Sequence, residues 1–223
     1  MFLSKEHGLA GRGMARQGRA WRGKTRINKK SHKKGETMRT ANCRLKSISP
    51  YSQSKFYETP KLAKERPDEY EERTWRDRLH IDNNGHVFIP PMSFKNCLSA
   101  AAKYLAIQIP GKGKSTFTKH IEAGIIVTNS MVLPFKKEEI PGEWFFVPAD
   151  GRRGSGKRVK KCFPVIQSWE GEVDFFVLDE TVTKDVFQQH LEEAGKFIGI
   201  GRFRPQNNGF YGRFVVENID WSE

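Results

Sequence analysis

The sequence has no long apolar run and no paired cysteines, and each absence excludes a class of protein. No apolar segment approaches the roughly 20 residues of a membrane-spanning helix, and the basic N-terminus is not followed by the apolar stretch of a secretory signal. The 3 cysteines, Cys43, Cys97 and Cys162, are far apart and form no Cys-x-x-Cys pair. This spacing predicts a reducing, cytoplasmic setting without disulfides or a zinc site, and we expect neither a cofactor nor a membrane partner.

The positive charge is concentrated at one end of the chain. Residues 1–39 hold 12 Lys and Arg against 2 Glu, so they supply 10 of the 13 net positive charges. Almost without β-branched or aromatic residues, this segment is predicted to be a disordered basic arm. Two interpretations stay open. The arm neutralises phosphates, or it is an extension from a mis-assigned start codon, since Met38 precedes a predicted first strand.

The remaining residues, 40–223, are predicted to form one domain. A first helix is predicted behind a Ser93 cap, running to about Ile107, and a second between a Thr183 cap and Gly195. A short charged helix is predicted over Asp68–Leu79. Apolar alternation and β-branched residues predict strands, or in the third case a strand or hairpin, at 40–49, 86–89, 124–133, 143–147, 173–178 and 210–216.

Residues 199–214 are the strongest functional candidate. They read Gly-Ile-Gly-Arg-Phe-Arg-Pro-Gln-Asn-Asn-Gly-Phe-Tyr-Gly-Arg-Phe. Glycine allows close backbone approach, arginine donates in a planar fork that fits phosphate, and aromatic faces stack on bases. A turn into an edge strand with solvated arginines is the alternative. The preferred interpretation is a nucleic-acid-binding loop whose contacts are Arg202, Phe203, Arg204 and Arg213.

A second basic segment runs from Asp150 to Lys161. It carries six basic residues and no acid from Arg152 onward, and apolar runs flank it. The pattern predicts the tip of a long hairpin that contacts phosphate, with a solvated loop as the alternative. The predicted RNA-binding residues in it are Arg152, Arg153, Lys157 and Arg158.

A third basic segment, Pro110–Thr116, resembles a phosphate-binding loop but fails its motif. Gln108 occupies the position of the motif's first glycine, and no helix is predicted behind the segment. A nucleoside triphosphatase is therefore excluded, and a flexible basic loop remains. Its candidate RNA-binding residues are Lys112, Lys114, Lys119 and His120.

Two motifs resemble the RAMP superfamily of repeat-associated RNA-binding proteins. Residues 89–102, Ile-Pro-Pro-Met-Ser-Phe-Lys-Asn-Cys-Leu-Ser-Ala-Ala-Ala, are similar to the Ile-Pro-Gly-Ser-Ser-Leu-Lys-Gly signature that opens the family's first helix. Residues 199–214 are similar to its C-terminal glycine-rich loop. The likeness covers about residues 40–216. It is strongest to the multi-copy backbone subunit of CRISPR effector complexes.

The first motif also suggests a contact to RNA. Lys95 matches the signature lysine, so the resemblance implies that it contacts the guide-RNA backbone. Asn96 lies beside it in the first helical turn, where free backbone donors favour an anion. The sequence departs from the signature at Pro91-Met92, where the family has Gly-Ser, and at Asn96, where it has Gly.

The predicted fold is α+β. Without insertions at about 51–85 and 110–166, the element order approaches a ferredoxin-like (RRM-like) βαββαβ core with inserted β-hairpins and the basic arm at 1–39. The resemblance implies a CRISPR effector backbone subunit that binds guide RNA along its phosphate backbone. It also implies head-to-tail assembly with further copies, contact with other effector subunits, recognition of target DNA or RNA through the guide, and a thumb hairpin around Gly151–Lys161.

Two other functions stay open. One is a metal-independent RNA endonuclease of the same superfamily with His80 or His120 as general base. Some relatives cut target RNA with an aspartate after the first strand, but Asp68, Asp77 and Asp82 match no such motif, so no catalytic residue is predicted. The other is a general single-strand-binding or annealing protein without a guide.

Overall fold

The structure, a computed structural model, describes residues 38–152 and 156–223. Within these residues the chain is α+β, as predicted, and residues 1–37 of the predicted arm lie outside the described ranges. The helices are α1 (Pro67–Thr74), α2 (Pro91–Leu105), α3 (Thr118–Gly124) and α4 (Lys184–Glu193). The strands are β1 (Arg39–Ser47), β2 (Tyr51–Ser52), β3 (His86–Ile89), β4 (Ile125–Val127), β5 (Met131–Lys136), β6 (Gly142–Pro148), β7 (Arg158–Ile166), β8 (Glu170–Val177) and β9 (Phe214–Ser222).

Strand β1 lies inside a four-stranded antiparallel sheet. It pairs with β8 on one side and β9 on the other, and β4 pairs with β8, which gives the order β4-β8-β1-β9. Ala41, Cys43 and Leu45 are each 0% exposed and face the core. Arg44 and Lys46 alternate with them and lie on the open face, as the two-residue period of a strand requires.

Helices α2 and α4 bury their apolar sides in the same core as this sheet. Along the chain, α2 lies between β1 and β4, and α4 lies between β8 and β9. The ring of Phe94 on α2 packs 6.4 Å from the ring of Phe214, and Phe187 on α4 packs 5.2 Å from Phe175. The apolar spacing that predicted both helices is therefore the spacing of their buried sides. No helix of the described residues is long and apolar enough to cross a membrane.

The predicted start of α2 is wrong. Ser93 lies in its first turn, and the helix begins at Pro91 behind an extended Pro90. A proline at the first helical position needs no N–H partner and already has a helical φ, so Pro91 starts the helix earlier than the serine. The helix ends at Leu105, where Ala106 takes a left-handed conformation with φ 47°.

The predicted end of α4 is also wrong, although its start is confirmed. Thr183 accepts a hydrogen bond from the backbone N–H of Val186, as a cap should. Beyond the helix the chain does not stop at Gly195 but continues through a π-helical turn, Ala194–Ile198. A Cβ on Gly195 would overlap the carbonyl oxygen of Phe214. This glycine therefore allows β9 to come close rather than ending a helix.

The two predicted insertions fold against each other. Strands β2, β7 and β6 form a three-stranded sheet in the order β2-β7-β6, with Tyr51 opposite Ile166. Strands β3 and β5 form a second small sheet, so β4 and β5 lie in different sheets and residues 124–133 are not a hairpin. Helix α3 follows the loop at 110–116, where no helix was predicted.

Candidate nucleic-acid interface

The glycine- and arginine-rich stretch at 199–213 folds back on itself ahead of β9. The N–H of Tyr211 donates to the carbonyl of Phe203 at 2.9 Å, and the N–H of Arg202 donates to the carbonyl of Ser52 at 2.9 Å. These bonds close the stretch into a loop and attach it to β2. The last strand therefore begins at Phe214 and not at 210 as predicted.

Phe203 lies at the centre of this loop in an unusual conformation. Its φ is 51°, which is uncommon for a residue other than glycine, and a Cβ on Gly209 would overlap its carbonyl oxygen. The Phe203 ring packs 5.0 Å from Phe145 and 6.3 Å from Phe163. The aromatic contacts hold the residue in place, and they join the loop to β6 and β7.

A hydrogen bond makes the same connection. The hydroxyl of Tyr211 donates to the Oε2 atom of Glu143 on β6 at 2.6 Å. Burial, together with the Glu143 carboxylate, raises the pKa of Tyr211 to about 12, so the phenol keeps its proton at neutral pH. Two kinds of contact thus connect the loop to the β6–β7 hairpin, and the sequence had marked both segments as basic candidates.

A cleft of about 790 Å³ lies between the loop and the hairpin. One wall comes from the loop, one from β7 and the end of β6, and the floor from the 3₁₀ turn Trp75–Arg78. The residues that line the cleft are Ser54, Arg78, Val147, Pro148, Ala149, Gly151, Val159, Lys161, Phe163, Gly201, Arg202, Phe203, Arg204 and Asn207. Cationic and aromatic side chains therefore meet in one concave site.

Arg202 is held between two aromatic rings of the cleft. Its guanidinium carbon lies 3.4 Å from the ring centroid of Phe163 and 4.6 Å from that of Phe203. Burial, and to a lesser degree the nearby charge of Arg78, lowers its pKa to about 10, so it stays charged at neutral pH. Arg202 and Arg204 are half-buried, and their Nε atoms are buried without an acceptor among the described residues. Two half-buried cations without a carboxylate partner in this part of the chain favour an anionic ligand.

A buried ion cluster supports the floor of the cleft. The Glu71 carboxylate accepts three hydrogen bonds. Arg78 and Lys161 each donate to it at 2.7 Å, and the backbone N–H of Cys162 donates at 2.9 Å. Burial alone would raise the pKa of Glu71, but these donors outweigh it and hold that pKa below its usual value. The cluster fastens α1 and the turn after it to β7.

The predicted hairpin is confirmed. Strands β6 and β7 pair from Gly142 opposite Pro164 to Pro148 opposite Arg158, so the basic tip at 149–157 connects the two paired strands. Arg152, Lys157 and Arg158 are exposed. Arg153 lies outside the described residues. Between residues 149 and 161, the cleft is lined by Ala149, Gly151, Val159 and Lys161.

Lys95, the lysine of the family signature, faces the protein interior. Its ammonium donates to the Ser99 hydroxyl at 3.1 Å and to the carbonyls of Ile121 and Glu122 at 2.8 and 2.9 Å. These bonds use its three hydrogens and connect α2 to the end of α3. Burial lowers its pKa. The neighbouring Asn96 is exposed, and neither residue lines the cleft.

The remaining predicted contacts lie elsewhere. Lys112, Lys114 and Lys119 are exposed on the loop before α3 and on α3 itself. His120 Nδ1 lies 2.6 Å from Asp179 Oδ2 and is also outside the cleft. Arg213 lines a second, smaller cleft on the other side of the 3₁₀ turn Pro205–Asn207. The structure therefore brings Arg202, Phe203 and Arg204 together with the hairpin, but none of these other residues.

Sequence reasoning missed three residues of the cleft. Arg78 falls in the predicted charged helix Asp68–Leu79 and Lys161 in the predicted hairpin, but neither was a predicted site residue, and Phe163 was not considered. One signal was present: Glu71 precedes Arg78 by seven residues, which places both on the same side of two helical turns. Nothing local indicates that Phe163 comes under Arg202, because that contact depends on the packing of two insertions.

The described part of the chain contains no group of three or more His, Cys, Asp and Glu side chains placed to hold a metal ion.

Comparison with known proteins finds similarity among solved structures, at low sequence identity. No protein-family model matches the sequence, and no curated protein is similar to it. One similar solved structure is the Type III-B Cmr-beta bound to cognate target RNA, with TM-score 0.47 and 9% identity over 83% of this chain and 61% of that one. Cmr6 from Pyrococcus furiosus has TM-score 0.43 and 14% identity over 81% and 99%. A CRISPR RNA-guided surveillance complex has TM-score 0.35 and 9% identity over 82% and 68%.

Each of these similar structures is 14% or less identical to this chain. The present chain spans less than two thirds of the first of them.

Proposed function

We propose that this protein is a single-stranded RNA-binding subunit of a CRISPR effector complex. In this proposal it binds guide RNA along the phosphate backbone, and further copies assemble head to tail along the same RNA. Sequence recognition of target DNA or RNA is then left to base pairing with the guide. The observation that carries the proposal is the cleft in which Arg202 and Arg204, with unused donors, meet the aromatic rings of Phe163 and Phe203.

The chemistry of the cleft suits a single strand. Arginine forks fit phosphate, and the partly exposed ring of Phe203 offers a stacking surface that suits any base. Phe163 is 3% exposed and lies under Arg202, so its role is to hold that guanidinium in place. Gly151 in the hairpin tip lines the cleft, and the exposed Arg152, Lys157 and Arg158 near it add to the same region of positive charge. In this proposal the tip is also the element that contacts the next copy.

The strand order supports a ferredoxin-like core. The order β4-β8-β1-β9, with α2 and α4 as the two crossover helices, is the order expected of a βαββαβ unit. In this proposal the open face of the sheet does not bind RNA. In the strands of this sheet, that face carries Arg44 and Lys46 and a larger set of acids, Glu170, Glu172, Asp174, Glu217 and Asp220.

The test removes two positive charges from the cleft in one variant and two from the open face of the sheet in another. Arg202→Ala with Arg204→Ala should weaken binding of single-stranded RNA and flatten its salt dependence, by up to roughly 0.7 in the log–log slope for each lost phosphate contact. The control is Arg44→Ala with Lys46→Ala, which removes the same charge from the open face. If both double variants keep the wild-type slope, the cleft arginines are not phosphate contacts. Thermal unfolding of each variant separates lost binding from lost folding.

The proposal also distinguishes the protein from a general single-strand-binding protein. RNA recovered with the purified protein should be of uniform length with a repeat-derived end, because a guide is a processed transcript. Mixed lengths and sequences in the recovered nucleic acid would instead favour the general binding or annealing function.

One observation favours a second function, the endonuclease. His120 and Asp179 form a pair at 2.6 Å, and a carboxylate on one ring nitrogen orients histidine for proton transfer. We nevertheless propose a non-catalytic subunit, since the pair lies outside the cleft. Labelled RNA should stay intact with or without magnesium. Cleavage that His120→Ala abolishes, with RNA binding unchanged, would establish the endonuclease instead.

A further inference from the structure

Two large aromatic side chains lie exposed next to each other, away from the first cleft. Tyr104 in the last turn of α2 is 63% exposed, and Phe197 in the π-helical turn after α4 is 47% exposed. Their ring centroids are 5.7 Å apart and the ring planes are inclined by 33°. Single exposed apolar residues need no explanation, but a contiguous pair marks a surface that contacts a ligand or partner.

The pair has a cation beside it. Tyr104 and Phe197 line the second cleft, of about 530 Å³, together with Lys103 and Arg213. The Nε of Arg213 donates to the Lys196 carbonyl at 3.2 Å and its Nη1 to the Phe210 carbonyl at 3.3 Å. Backbone carbonyls thus orient the guanidinium and leave its Nη2 for a ligand. Lys103 is paired with Glu122 at 2.7 Å, so Arg213 is the main cation here.

The second cleft adjoins the first at one short turn. The 3₁₀ turn Pro205–Asn207 forms the border: Pro205 and Gln206 line the second cleft, whereas Arg204 and Asn207 line the first. A strand bound in the first cleft that crosses this turn would enter the second cleft, where the aromatic pair lies.

We infer that Tyr104 and Phe197 form a second stacking platform for the same single strand of nucleic acid, with Arg213 on its phosphate. This inference rests on the proposed function. Base stacking on aromatic rings beside a cation is the combination by which single strands are held without regard to sequence. Arg213 does not line the first cleft, and this inference assigns it a role in the second.

The test uses the full chain and two lengths of oligouridylate. With one of about 16 nucleotides, near the upper site size of a single-strand-binding fold, Tyr104→Ala with Phe197→Ala should weaken binding about 5-fold or more for each base that stacks. Binding of one of about 4 nucleotides should change less, because the first cleft holds it. Tyr104→Phe with Phe197→Tyr keeps both rings and should restore binding. Both wild-type side chains are partly exposed, so the fold should tolerate their loss.

Three results would overturn the inference. The first is unchanged binding of the longer oligonucleotide in the alanine double variant. The second is an equal loss for both lengths. The third is a changed oligomeric state of that variant without RNA, which would assign the pair to a contact between proteins. Weaker binding of the shorter oligonucleotide by the variant with Arg202→Ala and Arg204→Ala tests the proposed function by itself. Failure of the proposed function can therefore be told apart from failure of this inference.

Discussion

Two clusters of ion pairs in this molecule use similar residues in opposite settings. Under the cleft, Glu71 is 1% exposed and holds the 7% exposed Arg78 together with Lys161. On the open face of the sheet, Glu217 pairs with Arg44 at 3.3 Å and with Lys46 at 3.6 Å, and the two cations are each 53% exposed. A buried carboxylate cannot lose its partners without a large cost, whereas an exposed one is solvated by water.

This contrast indicates which cations of residues 38–223 are available to bind phosphate. On the open face the cations are outnumbered and neutralised by neighbouring acids, so this face presents little attraction for a phosphate chain. In the cleft Arg78 and Lys161 share one carboxylate, which leaves one positive charge in excess, and Arg202 and Arg204 keep buried donors without an acceptor among the described residues. Net charge alone predicts neither arrangement, because most of the excess lies in residues 1–39.

The largest expected effect is on stability and comes from the buried cluster. Glu71→Ala leaves Arg78 buried without its carboxylate and should lower the free energy of unfolding by about 3–5 kcal/mol. Glu217→Ala, the matched change on the open face, should cost about 1 kcal/mol or less. Urea unfolding of both variants measures the contrast. Similar losses would mean that burial does not distinguish the two clusters.

The loop itself is expected to be the next most sensitive region. Gly209→Ala places a Cβ against the Phe203 carbonyl, so the backbone must shift; we expect a loss of about 1–3 kcal/mol, typical of overpacking, and weaker RNA binding. Gly156→Ala in the hairpin tip meets no atom within 4 Å and should change stability by about 0.5 kcal/mol or less. Urea unfolding and RNA titration of both variants test this. A tolerated alanine at 209 would show that the loop adopts another backbone path.

Much of the fold was predictable because it depends on local periodicity. The alternation around Cys43 predicted β1, and the spacing of Phe94, Cys97 and Leu98 predicted α2. The arginine loop and the hairpin were both recognised from composition. Their meeting in one cleft was not predictable, because it depends on β2 pairing with β7 across two insertions. The contacts of Lys95 within the protein were not predictable for a related reason: its acceptors are carbonyls of α3, a helix with too short an apolar pattern to predict.

A pH dependence should separate the two clusters further. The pKa of Glu71 is lowered in the folded protein, so its contribution to stability is complete above about pH 4.5, its ordinary value, and is lost as the pH falls through the lowered value. Glu71→Gln removes this contribution at every pH. The difference in melting temperature between wild type and this variant should therefore be largest at neutral pH and should shrink below pH 4.5. A difference that stays constant down to low pH would contradict the assignment.

The smallest effect on stability should come from the hairpin tip, although its effect on assembly should be large. Pro148 and Arg158 form the last pair of the hairpin, so residues 149–157 can be replaced by Asn-Gly, a two-residue turn that fits antiparallel strands. None of the described residues removed belongs to the core, and we expect unchanged unfolding. Binding of a short oligonucleotide should weaken moderately, because Arg152 and Lys157 are lost together with Ala149 and Gly151 of the cleft lining. Under the proposed function, regular assembly along guide-length RNA should be affected more strongly, because the tip is then the element that contacts the next copy. Electron microscopy of the shortened protein on such RNA gives the answer. Normal arrays would show that the tip is only a charged turn, and the general single-strand-binding function would gain.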